Sequence, residues 1–253
     1  MSEEVLISVG EGVIEVTINR PEARNAMTKA AAEGIAAAMD RLDAEDGLRC
    51  AILTGAGGTF CSGMDLKGFL KGEFPVTGNR GFGGLTSWTP KKPVIAAVDG
   101  YALAGGMELA LACDMIVASR DAKFGIPEVK RGLAAGGGGM VILPRLLPRA
   151  LAMELALTGD PITAARAYDL GLVNMLADGP AIDGARTLAA RIAANGPLAL
   201  IASKGVIRDS WLWADDEINS QQSRYIAGVF ASEDAKEGAR AFAEKRKPEW
   251  KGR

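Results

Sequence analysis

Over the first half of the chain one short theme recurs: an apolar run, a glycine-bearing turn, then a stretch with helical spacing. Cys50-Ala51-Ile52-Leu53-Thr54 leads into Gly55-Ala56-Gly57-Gly58, and Val94-Ile95-Ala96-Ala97-Val98 leads into Asp99-Gly100 and later Gly105-Gly106. Residues 115–118 follow a helical run and precede Phe124-Gly125-Ile126-Pro127, read as a turn. Runs this short, bounded by glycine and proline, are strands, and strands alternating with helices build an α/β architecture. Two further runs, residues 5–9 and 13–18, flank Gly10-Glu11-Gly12 and predict a hairpin ended by Asn19-Arg20-Pro21. An alanine-rich helix is predicted over residues 28–42, with Ile35, Met39 and Leu42 at helical spacing. Beyond Met140 strands nearly vanish, and helices are predicted over 149–158, 163–170, 181–194, 198–209, 214–231 and 234–245. Thr163, just after Pro161, and Ser232-Glu233-Asp234 carry helix-start signals. Residues 71–90 are glycine-rich with scattered aromatics and no period, which predicts a mobile loop or lid near a site.

Composition narrows the chemistry. At 48% hydrophobic and 24% charged residues the chain is of globular type, and a formal charge of −2 shows no nucleic-acid footprint. No apolar run approaches the ~20 residues that cross a bilayer, and the N-terminus has neither a basic region nor a continuous apolar stretch. Cys50, Cys61 and Cys113 are an odd set without paired spacing, as expected of buried thiols in a reducing compartment. The expectation is a soluble, cytoplasmic protein with no membrane or nucleic-acid partner. There is no histidine. Ser–His–Asp and Cys–His chemistry and histidine-ligated zinc are therefore excluded, and proton transfer falls to Glu, Asp, Lys, Tyr, Cys or water.

The glycine turns allow two readings. A dinucleotide fingerprint at Gly55-Ala56-Gly57-Gly58-Thr59-Phe60 fails, because Phe60 stands where a third glycine must let helix and strand pack closely. Alternatively, the turns present amides: Gly63 precedes Met64, and Gly105-Gly106 opens an apolar helix whose first N–H groups are unpaired at the positive end of the dipole. Two such amides on one oxygen form an oxyanion hole. Spacing alone favours glycines that merely turn the chain.

Two carboxylates stand where carboxylates are costly. Glu108 lies in Gly-Gly-Met-Glu-Leu-Ala-Leu-Ala-Cys, apolar on both sides. Burial raises its pKa and a helix N-terminus lowers it, so proton exchange and a plain dipole partner are both open. Glu128 follows Ile126-Pro127 and precedes Val129-Lys130-Arg131, where a surface ion pair is the simpler reading. Asp114, between a helix and a strand, reads as a structural cap. The run Gly136–Gly139 is another set of open amides or a flexible helix start.

These residues together resemble the crotonase superfamily, specifically its enoyl-CoA hydratase/isomerase members. The resemblance runs through Asn19-Arg20-Pro21 to Asn25-Ala26, Ala51-Ile-Leu-Thr-Gly55, Phe60–Lys67, Lys92–Val98 with Gly100-Tyr101-Ala102, Gly105-Gly106-Met107-Glu108, Phe124–Glu128, Leu157-Thr-Gly159 and the closing residues 233–246. It implies a spiral of repeated β-β-α units over residues 1–195 and a helical region, 196–253, that assembles homotrimers, often paired into hexamers. It also implies that the Met64 and Gly105 amides hold a thioester oxygen. By the same resemblance Glu108 and Glu128 act on one water, Gly136 helps place that water, and backbone near Ala23, Arg24, Ala26, Ser62, Asp65, Leu66 and Lys67 lines a coenzyme A channel. Arg24 and Lys67 are candidate phosphate contacts. The implied activity is reversible hydration of a trans-2-enoyl-CoA to a 3-hydroxyacyl-CoA, with no metal or other cofactor, since coenzyme A belongs to the substrate. Carnitinyl-CoA dehydration, steroid side-chain hydration and double-bond isomerisation remain as alternatives on one scaffold, and a non-catalytic acyl-CoA or RNA binder as another class. Two departures stand out: Ala135 replaces the usual proline before the glycine run, and Met64 is bulkier than the common alanine.

Overall fold

The computed structural model describes residues 4–253. Strands β1 (Val5–Gly10) and β2 (Val13–Ile18) form the expected antiparallel hairpin, with Gly12 at φ 77° in its turn. Helix α1 (Lys29–Ala44) follows, its N-terminus capped by Thr28, whose hydroxyl accepts from the Ala31 amide at 3.1 Å. At its other end Lys92 Nζ donates to the carbonyls of Leu42 (2.8 Å) and Glu45 (2.7 Å), a cation where the helix dipole is negative.

The middle of the chain is a spiral of three similar turns. The first comprises β3 (Cys50–Gly55), Cys61 as a single bridging residue, and the short helix α2 (Leu66–Phe69). The second comprises β4 (Val94–Val98), β5 (Tyr101–Leu103) and α3 (Gly105–Ala112). The third comprises β6 (Met115–Ser119), β7 (Lys123–Gly125) and the 3-10 turn Pro127–Arg131. In each turn the first strand joins a six-stranded sheet, and the second part joins a smaller parallel ladder.

Helices α4 (Gly139–Leu146) and α5 (Arg149–Thr158), strand β8 (Ile162–Thr163), helix α6 (Ala164–Asp169), strand β9 (Met175–Ala177) and helix α7 (Ala181–Ala193) complete this layer. The large sheet runs β1-β2-β3-β4-β6-β9, parallel from β2 onward; the small one runs β5-β7-β8. Every residue of β4 is buried, as expected of a parallel strand covered on both faces. Alternation divides the core accordingly. Ala51, Leu53, Val94 and Ala96 face α1 and the interior, while Cys50, Ile52, Ile95 and Ala97 meet Ala181, Ala185 and Ala189, spaced four apart on α7. Alanines on that stripe let helix and sheet approach closely.

The rest is helical: α8 (Pro197–Asp209), a 3-10 turn Ser210–Leu212, α9 (Ile218–Ala231) and α10 (Glu233–Ala243). Ser232 caps α10 through the Ala235 amide, and Thr163 caps α6, as the start signals predicted. Helix α8 is tied to the spiral by Lys204, whose Nζ pairs with Asp114 at 2.7 Å and donates to the Lys92 carbonyl at 2.9 Å. Asp114 also accepts from the Val94 amide at 2.8 Å, so it is structural, as expected.

Three expectations change. The helix expected from residue 214 begins at Ile218, because the Glu217 amide turns back onto the Ala214 carbonyl at 2.9 Å around Asp215-Asp216. Residues 124–127 are only half turn: Phe124 and Gly125 belong to β7, which with β8 and β9 is too short to leave a period in sequence. Residues 71–90 are irregular yet tied together rather than loose. The Gly83 amide donates to the Pro75 carbonyl (2.8 Å), Ser87 to Arg80 (2.9 Å), and Val76 bridges Phe82. The Arg80 guanidinium sits 3.7 Å from the Trp88 ring centre and pairs with Asp40.

Candidate active site

The small ladder sets the site. Cys61 pairs with Ala102, and Ala102 with Phe124, so the three spiral turns are in register. Three residues beyond those partners stand Met64, Gly105 and Pro127, with Glu128 next. Neighbouring strands lie ~4.8 Å apart, so equivalent positions of successive turns converge on one edge. Gly106 permits the closest approach: an ideal Cβ there would lie 2.1 Å from the Cys61 carbonyl oxygen. A Cβ on Gly63, at φ 104°, would lie 2.8 Å from the Ala104 side chain and 3.5 Å from the Gly105 nitrogen. Ala104 itself holds φ 54°, ψ −130°, a costly conformation for a residue with a side chain, to swing the chain from β5 into α3. Among the described residues, no backbone carbonyl or side chain accepts from the Met64 or Gly105 amide.

These residues line a cavity of about 600 Å³. Its lining includes Arg24, Ser62, Met64, Leu66, Gly105, Glu108, Glu128, Gly136 and Gly137. The 71–90 segment supplies Phe74, Val76 and Phe82, the last with its ring against Gly105, where an ideal Cβ would come within 2.3 Å of the ring. The segment's expected place beside a site holds.

Glu108 is 3% exposed. Its Oε1 accepts from the amides of Gly137 (2.7 Å) and Gly139 (3.0 Å), at the opening of α4. A Cβ on Gly137 would fall 2.6 Å from Glu108 Oε2, so any side chain there would push the carboxyl aside. Burial pushes the carboxyl up, and the Gly139 and Gly137 amides pull it back. Glu128 is half-buried on the 3-10 turn, and its Oε2 is buried without a hydrogen-bond partner among the described residues. Burial pushes it up to about 7, with the Glu108 charge adding and Arg131 opposing. The surface ion pair is taken instead by Lys130, which meets Asp160 at 2.5 Å. Both carboxyls line the cavity and both are raised, and Glu128, at about 7, carries its proton for part of the time near neutrality, so it can act as the donor of the pair.

The structure separates the other candidates. Arg24, Ser62, Leu66 and Gly136 line the cavity; Ala23, Ala26, Asp65 and Lys67 do not. Asp65 is occupied elsewhere: it pairs with Arg20 at 2.9 Å and caps α2 by accepting from the Lys67 (3.0 Å) and Gly68 (3.2 Å) amides. Lys67 borders a separate groove with Arg20, Lys29 and Lys71. Asn25, fully buried, stitches the two loops nearby, donating to the carbonyls of Ala56 (2.8 Å) and Thr59 (2.5 Å). Gly137 and Gly139 as holders of Glu108 were not singled out from sequence; the open run Gly136–Gly139 was the available signal. Phe82 was not singled out from sequence; the scattered aromatics of residues 71–90 were the available signal.

Residues 8–253 match the family model described as enoyl-CoA hydratase/isomerase. The chain superposes on the crystal structure of enoyl-CoA hydratase EchA1 from Mycobacterium marinum with a TM-score of 0.97 and 56% identity, each chain covered in full. It is 44% identical to enoyl-CoA hydratase EchA19 of Mycobacterium tuberculosis, over 94% of this chain and 92% of that protein. It is 41% identical to the carnitinyl-CoA dehydratase of Proteus mirabilis over the full length of both.

Proposed function

The chain belongs to the enoyl-CoA hydratase/isomerase family of crotonase-fold enzymes, and from that premise we propose that it adds water reversibly across the double bond of a trans-2-enoyl-CoA. The observation that carries this reading is the glutamate pair lining one cavity, both raised in pKa, beside two unclaimed amides.

The thioester carbonyl oxygen accepts from the Met64 and Gly105 N–H groups, which polarises the conjugated double bond and stabilises the negative charge that develops as the enolate forms. Ionised Glu108, oriented by Gly137 and Gly139, takes a proton from water as the water oxygen bonds to the β-carbon. Glu128 helps hold that water, and its carboxylic proton goes to the α-carbon as the enolate collapses. The cycle leaves Glu108 protonated and Glu128 ionised, and a proton exchanged through solvent restores both. Gly136, in the cavity wall, offers its amide to the same water. The thioester supplies the activation, so the reaction draws on no metal or redox group. Run backwards, the same steps are a dehydration, the reaction in the name of the Proteus relative.

The coenzyme A part fits the side of the cavity formed by Arg24, Ser62 and Leu66. We assign residues 1–195 to the catalytic spiral and 196–253 to assembly, because α8–α10 and the turns between them expose large apolar side chains, Trp211, Leu212, Phe230 and Phe242 among them. A homotrimer, alone or paired into a hexamer, buries them. No helix among the described residues is long and apolar enough to cross a membrane, and all three thiols are unpaired, which suits a cytoplasmic enzyme. The test is a panel of enoyl-CoA thioesters of different lengths and head groups, followed by loss of the conjugated thioester absorbance. Turnover of at least one member with formation of the 3-hydroxyacyl product is expected; a shifted double bond without added water overturns the reading.

A further inference from the structure

Two arginines stand in the cavity wall, Arg24 and Arg131; neither guanidinium makes a hydrogen bond or ion pair among the described residues, and Arg131 acts on Glu128 only through its charge. Arg24 lies on the coenzyme A side, where the Ser62 amide donates to its carbonyl at 3.1 Å. Arg131 is different. It closes the 3-10 turn Pro127–Arg131, three residues after Glu128. With three residues per turn, positions i and i+3 of a 3-10 helix eclipse, so Arg131 and Glu128 share the face turned to the cavity. Its neighbour Lys130 is consumed by Asp160, whereas Arg131 is left over.

A substrate placed by the proposed chemistry has a direction. Its coenzyme A lies toward Arg24 and Ser62, its thioester oxygen at Met64 and Gly105, and its α- and β-carbons at Glu128 and Glu108. The acyl carbons beyond pass along the segment that carries Arg131. Arg131 is exposed and solvated in the open cavity, so a plain alkyl tail that covers it strips that water and offers no acceptor in return. A carboxylate pairs with it through two parallel hydrogen bonds, and Arg131 offsets the repulsion between that carboxylate and the two glutamates. Phe74, Val76 and Phe82, which line the same cavity, suit the intervening methylenes.

We infer that Arg131 is a specificity residue that receives a carboxylate on the acyl chain, so that the preferred substrates are enedioyl-CoA thioesters. This rests on the hydratase reading. The test compares hydration of a trans-2-enoyl-CoA bearing a terminal carboxylate with that of an unsubstituted trans-2-enoyl-CoA of equal length, in the wild-type enzyme, Arg131→Gln and Arg131→Lys. The wild type should favour the carboxylate substrate by at least about tenfold in kcat/KM. Arg131→Gln should bring that ratio to about one, and Arg131→Lys should retain part of it. A wild-type ratio near one, or a ratio unchanged in Arg131→Gln, overturns the inference. So does an equal loss on both substrates with a displaced pH profile, which makes Arg131 only a tuner of Glu128. If the wild type hydrates neither thioester, the hydratase reading fails. Calorimetric binding of the saturated carboxylate-bearing and unsubstituted acyl-CoA pair to wild type and Arg131→Gln then still decides the role of Arg131: a preference for the carboxylate that Arg131→Gln abolishes supports it, and equal binding overturns it.

Discussion

Glu108 and Glu128 are chemically the same residue in two environments. Glu108 is deeper, but two amides compensate its burial, whereas one oxygen of Glu128 is buried with no compensation. Each should matter as a separate proton carrier. Glu108→Gln and Glu128→Gln are each expected to lower kcat for crotonyl-CoA hydration by about 10²-fold or more, with unchanged circular dichroism; wild-type-like turnover in either contradicts the mechanism. The pH dependence follows from the directions. Hydration needs Glu128 protonated, so kcat/KM should fall as pH rises through about 7, while the acid limb reports Glu108, itself raised. Stability moves with Glu128 too. A carboxyl whose folded pKa is raised contributes stability present below its unfolded pKa and lost as pH climbs through about 7. Glu128→Gln should therefore raise the melting temperature relative to wild type at pH 8 and do so far less at pH 5. Glu108 was legible in sequence as an oddity, a carboxylate among apolar neighbours. Glu128 was legible only through the family resemblance, because the basic residues after it suggested an ion pair that Lys130 in fact makes with Asp160.

At the scale of elements, the site depends on how closely α3 and the Cys61 bridge approach. Gly106→Ala places a methyl against the Cys61 carbonyl, and backbone cannot give way as a flexible side chain can. Overpacking of this kind costs about 1–3 kcal/mol, so a lower midpoint in urea should accompany weaker thioester binding. A second element-level contact is the ion pair by which α8 holds the spiral. Lys204 is 7% exposed and Asp114 25%. Lys204→Met should destabilise by about 2–3 kcal/mol, since it strands a partly buried carboxylate. Adding Asp114→Asn, which keeps an acceptor for the Val94 amide, should recover much of the loss. Equal melting temperatures for wild type and Lys204→Met would show that the helix docks without this pair. The helices were readable because caps and periodicity are local. Strands β7, β8 and β9 were not, since a two- or three-residue strand has no period and is defined by its partner.

At the scale of the whole molecule, the apolar side chains left exposed on the C-terminal helices set an expectation for assembly. Phe230 and Phe242 are 78% and 88% exposed. Light scattering after size exclusion should report three chains or six, and Phe242→Glu or Phe230→Glu should shift the mass downward. A single-chain mass for the wild type rules the assembly out. The overall α/β alternation was visible in sequence because each strand is a buried apolar run and each turn carries glycine.

The sequence by itself narrowed the kind of chemistry open to this chain: without histidine, proton transfer had to fall to Glu, Asp, Lys, Tyr, Cys or water. It also determined the alternation of short strands, glycine turns and helices, because those depend on neighbours a few residues apart. Only the tertiary structure decided that Cys61, Ala102 and Phe124 lie in register, and hence that Met64, Gly105 and Glu128 meet at one edge. It alone decided that Gly137 and Gly139 hold Glu108. Register between strands and contact between loops are set by packing across the whole core, and residues dozens of positions apart carry no local mark of it.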